Sequence, residues 1–176
     1  YIEQYSITHS QWVPTMFIRM LKLEEDIRSQ YDLSTHACAI HAAAPCPKEI
    51  KQQMMRWWGA ILWEYYAGTE RNGTCVIGPQ DWLAHPGSVG RAYNSVLRIC
   101  DENGEELTAG EEGMVYFEQN VRSFEYHNAP DKTRAATHPI HDNWTSLGDV
   151  GYVDKEGYLY LTCLLYTSPS PRDSIR

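Results

Sequence analysis

Nothing in this sequence supplies a disulfide framework, a membrane span or a basic surface. Its five cysteines, at positions 38, 46, 75, 100 and 163, include no CxxC pair, and their odd number and wide spacing fit reduced thiols of the kind kept in the cytoplasm. The longest apolar stretch, around Tyr158 to Tyr166, is too short to cross a bilayer, so no transmembrane segment is expected. Positive charge is scarce. Against 23 Asp and Glu stand 15 Lys and Arg, a formal net charge of −8 that gives no long-range attraction to nucleic acid or to an anionic membrane. Any anionic ligand must then be held by local groups in a pocket. An opening methionine, a basic leader and an apolar signal core are all missing at Tyr1, as expected of a piece cut from a longer chain. No internal repeat is found.

What is there is an ordinary globular balance, 43% hydrophobic and 22% charged over 176 residues, enough for one domain with a sizeable core. Between Ser10 and Leu23 the residues Val13, Met16, Phe17, Met20 and Leu21 form one apolar stripe, which predicts a helix. Ala37 to His41 is a short apolar run suited to a buried strand. Pro47 then opens a second helix whose stripe is Ile50, Met54, Trp57 and Trp58, and Gly59 ends it before another apolar run at Ala60 to Tyr66. Strand, helix and strand with short connections predict a parallel α/β unit, with ligands beyond the carboxyl ends of its strands, at Ala42 to Pro45 and Ala67 to Gly73. From Ser95 onward alternating runs at Val96 to Cys100, Met114 to Phe117, Gly151 to Val153 and Tyr158 to Leu161, with turns at Asn103-Gly104 and Lys155-Glu156-Gly157, predict an antiparallel β-rich part.

The run Tyr65-Tyr66-Ala67-Gly68-Thr69-Glu70-Arg71-Asn72-Gly73 carries the most specific chemistry. An aromatic face can stack on a base, small residues let a backbone approach a phosphate, a threonine hydroxyl can bond a phosphate oxygen, and a carboxylate can help hold Mg²⁺. Taken alone, the same run is also a glycine-containing loop after a strand. His36, Cys38, His41 and Cys46 do not read as a zinc site, because His41 faces away from His36 and Cys38 on an extended strand.

Several blocks in one order change the weight of that run. Val13-Pro14-Thr15-Met16-Phe17, His41-Ala42-Ala43-Ala44-Pro45, Tyr66-Ala67-Gly68-Thr69-Glu70 and His85-Pro86-Gly87-Ser88-Val89-Gly90 are followed by Gly110-Glu111-Glu112-Gly113, by Tyr126 with Pro130 and Thr133, and by Gly148-Asp149. In this order they resemble the adenylate-forming superfamily of AMP-forming acyl-CoA synthetases, firefly-type luciferases and adenylation domains, over nearly everything from Gln11 to Thr162. The resemblance implies that Ala42, Ala43 and Ala44 contact adenine, Tyr66 stacks on it, Thr69 contacts the α-phosphate, Glu70 coordinates Mg²⁺, and Asp149 accepts from the ribose hydroxyls. Thr69 and Glu70 would be the catalytic pair. His41, Tyr65 and Ala67 would line the acyl pocket.

It further implies ATP or AMP, Mg²⁺ and coenzyme A as ligands, a small carboxylic acid as substrate, and a cytoplasmic ligase that adenylates the acid before forming its thioester. Acetate-type members carry tryptophan where Ala67 stands, so an acid longer than acetate is expected, of medium or long chain or branched or ring-bearing, and the run His41 to Gly73 looks most like bacterial fatty-acid-type ligases. Two other readings stay open: an adenylation domain that loads a carrier-protein thiol, and a non-catalytic nucleotide-binding or interaction module. The expected organisation is an α/β portion over 1–94, a β-rich and barrel-like portion over 95–162, and a disordered, proline-interrupted tail over 163–176. The string Thr167-Ser168-Pro169-Ser170-Pro171-Arg172-Asp173 within it is similar to the conceptual translation of a sequencing adapter. The family's phosphate loop, its Asp-Arg hinge and its catalytic lysine have no counterpart in these residues, and the polypeptide by itself is expected to show no ligase turnover.

Overall fold

Val13-Pro14 decides where the first long helix starts. Proline disfavours the helical region for its predecessor, and Val13 is extended (φ −118°, ψ 150°), so winding begins at Pro14. In the computed structural model, which describes residues 1–163, the helix expected from Ser10 is therefore shortened to Pro14–Leu21, and His9–Trp12 forms a strand. The elements in order are α1 (Ile2–Tyr5), β1 (His9–Trp12), α2 (Pro14–Leu21), α3 (Glu25–Arg28), β2 (Cys38–His41), α4 (Lys48–Trp58), β3 (Leu62–Ala67), β4 (Thr74–Ile77) and α5 (Pro79–Ala84). They continue with β5 (Arg91–Ala92), β6 (Val96–Cys100), β7 (Gly113–Glu118), α6 (Pro130–Ala135), β8 (Trp144–Thr145), β9 (Val150–Val153) and β10 (Leu159–Cys163).

Two sheets result. One runs β1-β2-β3-β4-β5, with β1 and β2 parallel from His9↔Cys38 to Trp12↔His41, and β2 and β3 parallel from Ala39↔Leu62 to His41↔Glu64. The other runs β10-β9-β7-β6 with β8 on β7, and its described pairings are antiparallel. That second sheet has two ends among the described residues, so the barrel-like closure expected of it is not formed and the sheet is open.

The chain clusters into two compact units, Tyr1–Tyr66 with Val76–Gly90, and Ala67–Cys75 with the described residues from Arg91 on. One border is expected after residue 94; the loop after β3 groups with the β-rich unit. The tail expected at 163–176 lies, from Leu164 on, outside the described residues.

In the first unit Phe17 from α2, Ala39 from β2, Leu62 from β3, Ile77 from β4 and Trp82 from α5 are buried. The helix α4 presents Lys51, Met54, Met55 and Trp58 inward, a stripe at i, i+3, i+4 and i+7. Its setting is rotated from the expected one, since Ile50 and Trp57 are only half-buried while a lysine faces in. In the second unit the Asn103-Gly104 and Lys155-Glu156-Gly157 turns form as expected, with Gly104 at φ 86° and Gly157 at φ 82°. Arg98 on β6 anchors that sheet, donating to both carboxylate oxygens of Glu106 and to Glu118. Among the described residues no helix is long and apolar enough to cross a membrane.

Candidate functional site

In the β-rich unit the segment after β3 is built around one carboxylate. Glu70 is half-buried, and both of its oxygens accept hydrogen bonds: Oε1 from the Tyr126 hydroxyl at 3.0 Å and Oε2 from Thr69 Oγ1 at 3.2 Å. Tyr126 is itself placed by Thr133. The Thr133 hydroxyl accepts the Tyr126 backbone N–H at 2.9 Å and donates to the Ala129 carbonyl at 3.2 Å, while Pro130 opens the α6 turn between them. The spacing Tyr-x-x-x-Pro-x-x-Thr is therefore a device for aiming a phenol. Burial first, and then the Glu70 carboxylate, push the Tyr126 phenol up to about 12, so it stays protonated and donating. The Lys132 ammonium sits 4.0 Å from the centre of the Tyr126 ring and stiffens the arrangement further.

The rest of the loop is clamped from behind. The fully buried Asn72 donates through Nδ2 to the Thr145 carbonyl at 3.3 Å, and Gln119 Nε2 donates to the carbonyls of Arg71 at 3.0 Å and Asn72 at 2.7 Å. Arg71 takes a left-handed φ of 57° to make the turn. Gly68 and Gly73 allow close approach: a Cβ at Gly68 would stand 2.7 Å from Leu147 Cδ1, and one at Gly73 2.1 Å from Phe117 Cδ1. Thr145 and Leu147 belong to the stretch that runs straight on to Gly148-Asp149. There Gly148, at φ 90°, gives its N–H to Ser146 Oγ, and the buried Asp149 accepts the Val115 N–H on its carbonyl. The Thr69-Glu70 step and the approach to Asp149 are thus packed on each other inside one unit. Asn72, Gly73, Gln119 and Tyr126 had no site role in the sequence reading, although the Asn-Gly step after Thr-Glu and the Tyr-Pro-Thr spacing were visible signals.

The remaining predicted residues, Ala67 apart, lie in the first unit. Ala42 is buried, Ala44 half-buried, and Ala43 exposed with a left-handed φ of 70°, a conformation an L-residue adopts at some cost. Tyr66 is half-buried at the end of β3, and Ala67, which follows it, is exposed. His41 and Tyr65 are not brought together. His41 lies opposite Glu64 in the ladder, with Nε2 3.4 Å from Glu64 Oε2 and its ring edge-on to Phe17, whereas Tyr65 is on the other face of β3 and receives Gln11 Nε2 on its hydroxyl at 3.3 Å. Burial, reinforced by the neighbouring Lys51 charge, lowers His41 to about 3, so its ring is neutral. Among the described residues no group of three or more His, Cys, Asp and Glu side chains is gathered to hold a metal ion. Glu70 is instead one carboxylate set between two hydroxyls, which fits a cation that brings waters and phosphate oxygens of its own.

The α/β portion with its strand-end loops and the β-rich portion with its Thr-Glu step match a known family. The AMP-binding enzyme family matches residues 1–123, and the chain belongs to that family. It is 28% identical over 159 residues to the uncharacterized acyl–CoA ligase YhfT of Bacillus subtilis, covering 89% of this chain and 30% of that protein. It is also 28% identical over 165 residues to the fatty acid–[acyl-carrier-protein] ligase ScoC of Streptomyces coeruleorubidus, covering 91% and 31%. The N-terminal domain of FACL13 from Mycobacterium tuberculosis superimposes with a TM-score of 0.75 at 26% identity, over 92% of this chain and 40% of that one. The chain spans under a third of the length of those two curated relatives.

Proposed function

We propose that the protein carrying this chain is an acyl-CoA ligase of the fatty-acid type. A carboxylate oxygen of the acid attacks the α-phosphorus of ATP, the bond to pyrophosphate breaks, and the resulting acyl-adenylate passes its acyl group to the thiol of coenzyme A with loss of AMP. No side-chain nucleophile is needed. The protein's work is alignment and the stabilisation of charge on phosphate oxygens by fixed donors. In this reading Thr69 contacts the α-phosphate, Glu70 would hold Mg²⁺, which would neutralise charge on the phosphates, and Asp149 accepts the ribose hydroxyls, an arrangement favoured by charge-assisted bonding. Ala42 to Ala44 and Tyr66 serve adenine, and Tyr65 and Ala67 border the acyl group. His41, expected beside them, is buried with Nε2 3.4 Å from Glu64 Oε2. A reducing, cytoplasmic setting is in keeping with the free thiols of Cys38, Cys46, Cys75 and Cys100.

The observation that carries this reading is the carboxylate of Glu70, bonded on both oxygens by hydroxyls and seated on a loop clamped to the stretch leading into Asp149. Acid-dependent exchange of pyrophosphate into ATP by the full-length protein tests the first half-reaction, with medium- and long-chain acids expected to drive it. Absence of exchange with any acid would end the ligase reading. The likeness to a carrier-protein ligase supports a second acceptor, a carrier-protein thiol in place of coenzyme A. Supplying each acceptor separately to the preformed acyl-adenylate decides between them.

A further inference from the structure

The first unit buries an ion pair for which the proposed chemistry has no use. Lys51 is fully buried at the second turn of α4, and its Nζ donates to Glu64 Oε2 at 2.6 Å while lying 4.8 Å from the centre of the Trp82 ring on α5. The same carboxylate oxygen faces His41 Nε2 at 3.4 Å. The Cys46 thiol is close enough to feel both charges. Burial alone works against each charge, lowering Lys51 and raising Glu64, and the contact between them offsets it. As a source of stability such a pair is poor, since apolar side chains of similar volume do as well or better; what it enforces is register, because any slip leaves a charge buried and uncompensated.

The place where register is enforced is specific. Glu64 precedes Tyr66 by two along β3 and shares its face of the strand, and His41, its ladder partner, immediately precedes Ala42-Ala43-Ala44. One ammonium and one carboxylate thus tie α4 and α5 to the ends of β2 and β3 that carry the adenine-side residues. We propose that Lys51 and Glu64 are a positioning pair for nucleotide recognition, setting Tyr66 and the Ala42–Ala44 turn against the nucleoside. The proposal rests on the ligase reading above.

The test uses the full-length protein with two variants, the apolar pair Lys51→Met/Glu64→Leu and the single Glu64→Gln, which keeps the shape and removes the charge. Steady-state pyrophosphate exchange and direct AMP titration are measured beside thermal unfolding. The apolar pair is expected to unfold within a few degrees of wild type, yet to raise KM for ATP and Kd for AMP at least tenfold, with kcat and KM for the acid within twofold. Glu64→Gln is expected to raise the same two nucleotide constants at least threefold, and it decides alone if the apolar pair does not fold. Unchanged nucleotide constants, or equal losses toward ATP and acid, would overturn the proposal. Failure of the wild type to exchange pyrophosphate while it still binds AMP would strike the ligase reading only, and the AMP titrations would still judge the pair.

Discussion

Replacing Gly73 by alanine puts one methyl group where the structure has no room for it. The new Cβ would stand 2.1 Å from Cδ1, 2.3 Å from Cγ and 2.8 Å from Cβ of Phe117. Phe117 is only 1% exposed and lies in β7 opposite Thr145, so it cannot swing away without opening the β-rich core. The loop is the softer partner, but it is held by Asn72 on Thr145 and by Gln119 on Arg71 and Asn72. Overpacking of this kind costs ~1–3 kcal/mol, and ~2 kcal/mol lowers the melting temperature of a protein of 150–250 residues by roughly 4–8 °C. Because the displaced loop carries Glu70, Mg²⁺-dependent ATP binding should weaken beyond what the stability loss accounts for. Thermal unfolding and nucleotide titration of Gly73→Ala, each repeated with Phe117→Leu added to reopen the space, separate the two effects. A Gly73→Ala protein that melts with the wild type and binds ATP equally would refute the clamped-loop argument.

Tyr126→Phe removes one of the two hydroxyl donors on Glu70; a bond to a charged group at a partly exposed position is worth ~1.5 kcal/mol, so Mg²⁺-dependent ATP affinity should fall roughly tenfold, as read by titration with and without the metal. Ala67→Trp should shift acid preference in the exchange assay toward short chains, and an unchanged chain-length profile would contradict the pocket assignment. For His41 the folded value of about 3 lies below the ordinary 6.5, so the unfolded chain binds the extra proton first. Stability from this residue is complete above pH 6.5 and declines as pH falls toward 3, by about 1 kcal/mol between pH 7 and 5.5. Urea melts at those two values should show the loss, and His41→Phe should reduce it, leaving the share of His36, which burial also lowers.

Much of the architecture was written in local pattern. The parallel strands at Cys38–His41 and Leu62–Ala67, the helix between them and the β-rich second half follow from apolar periodicity, from Pro47 and Gly59 at the helix ends, and from glycine turns. Where reading failed, the cause was non-local. Ser10 to Trp12 lie ahead of the apolar stripe in the stretch expected to be helical, yet pairing with β2 makes them a strand, and Val13-Pro14 is the local sign of the break. The setting of α4 is not legible along the chain, because nothing beside Lys51 in sequence announces Glu64, thirteen residues on, as its partner.

By itself the sequence determined the family, through short ordered blocks whose residue types suit a nucleotide, and it determined that Thr69, Glu70 and Asp149 are the groups to examine. Only the tertiary structure decided how they are held: that Tyr126, fifty-six residues from Glu70, donates to it, that Asn72 hangs the loop on Thr145, and that His41 turns toward Glu64 rather than toward Tyr65. Periodicity and turn chemistry act over a few residues and can be read along the chain. Hydrogen bonds across a core join residues whose separation carries no pattern, and they exist only once the sheets have brought their partners within 3 Å or so of each other.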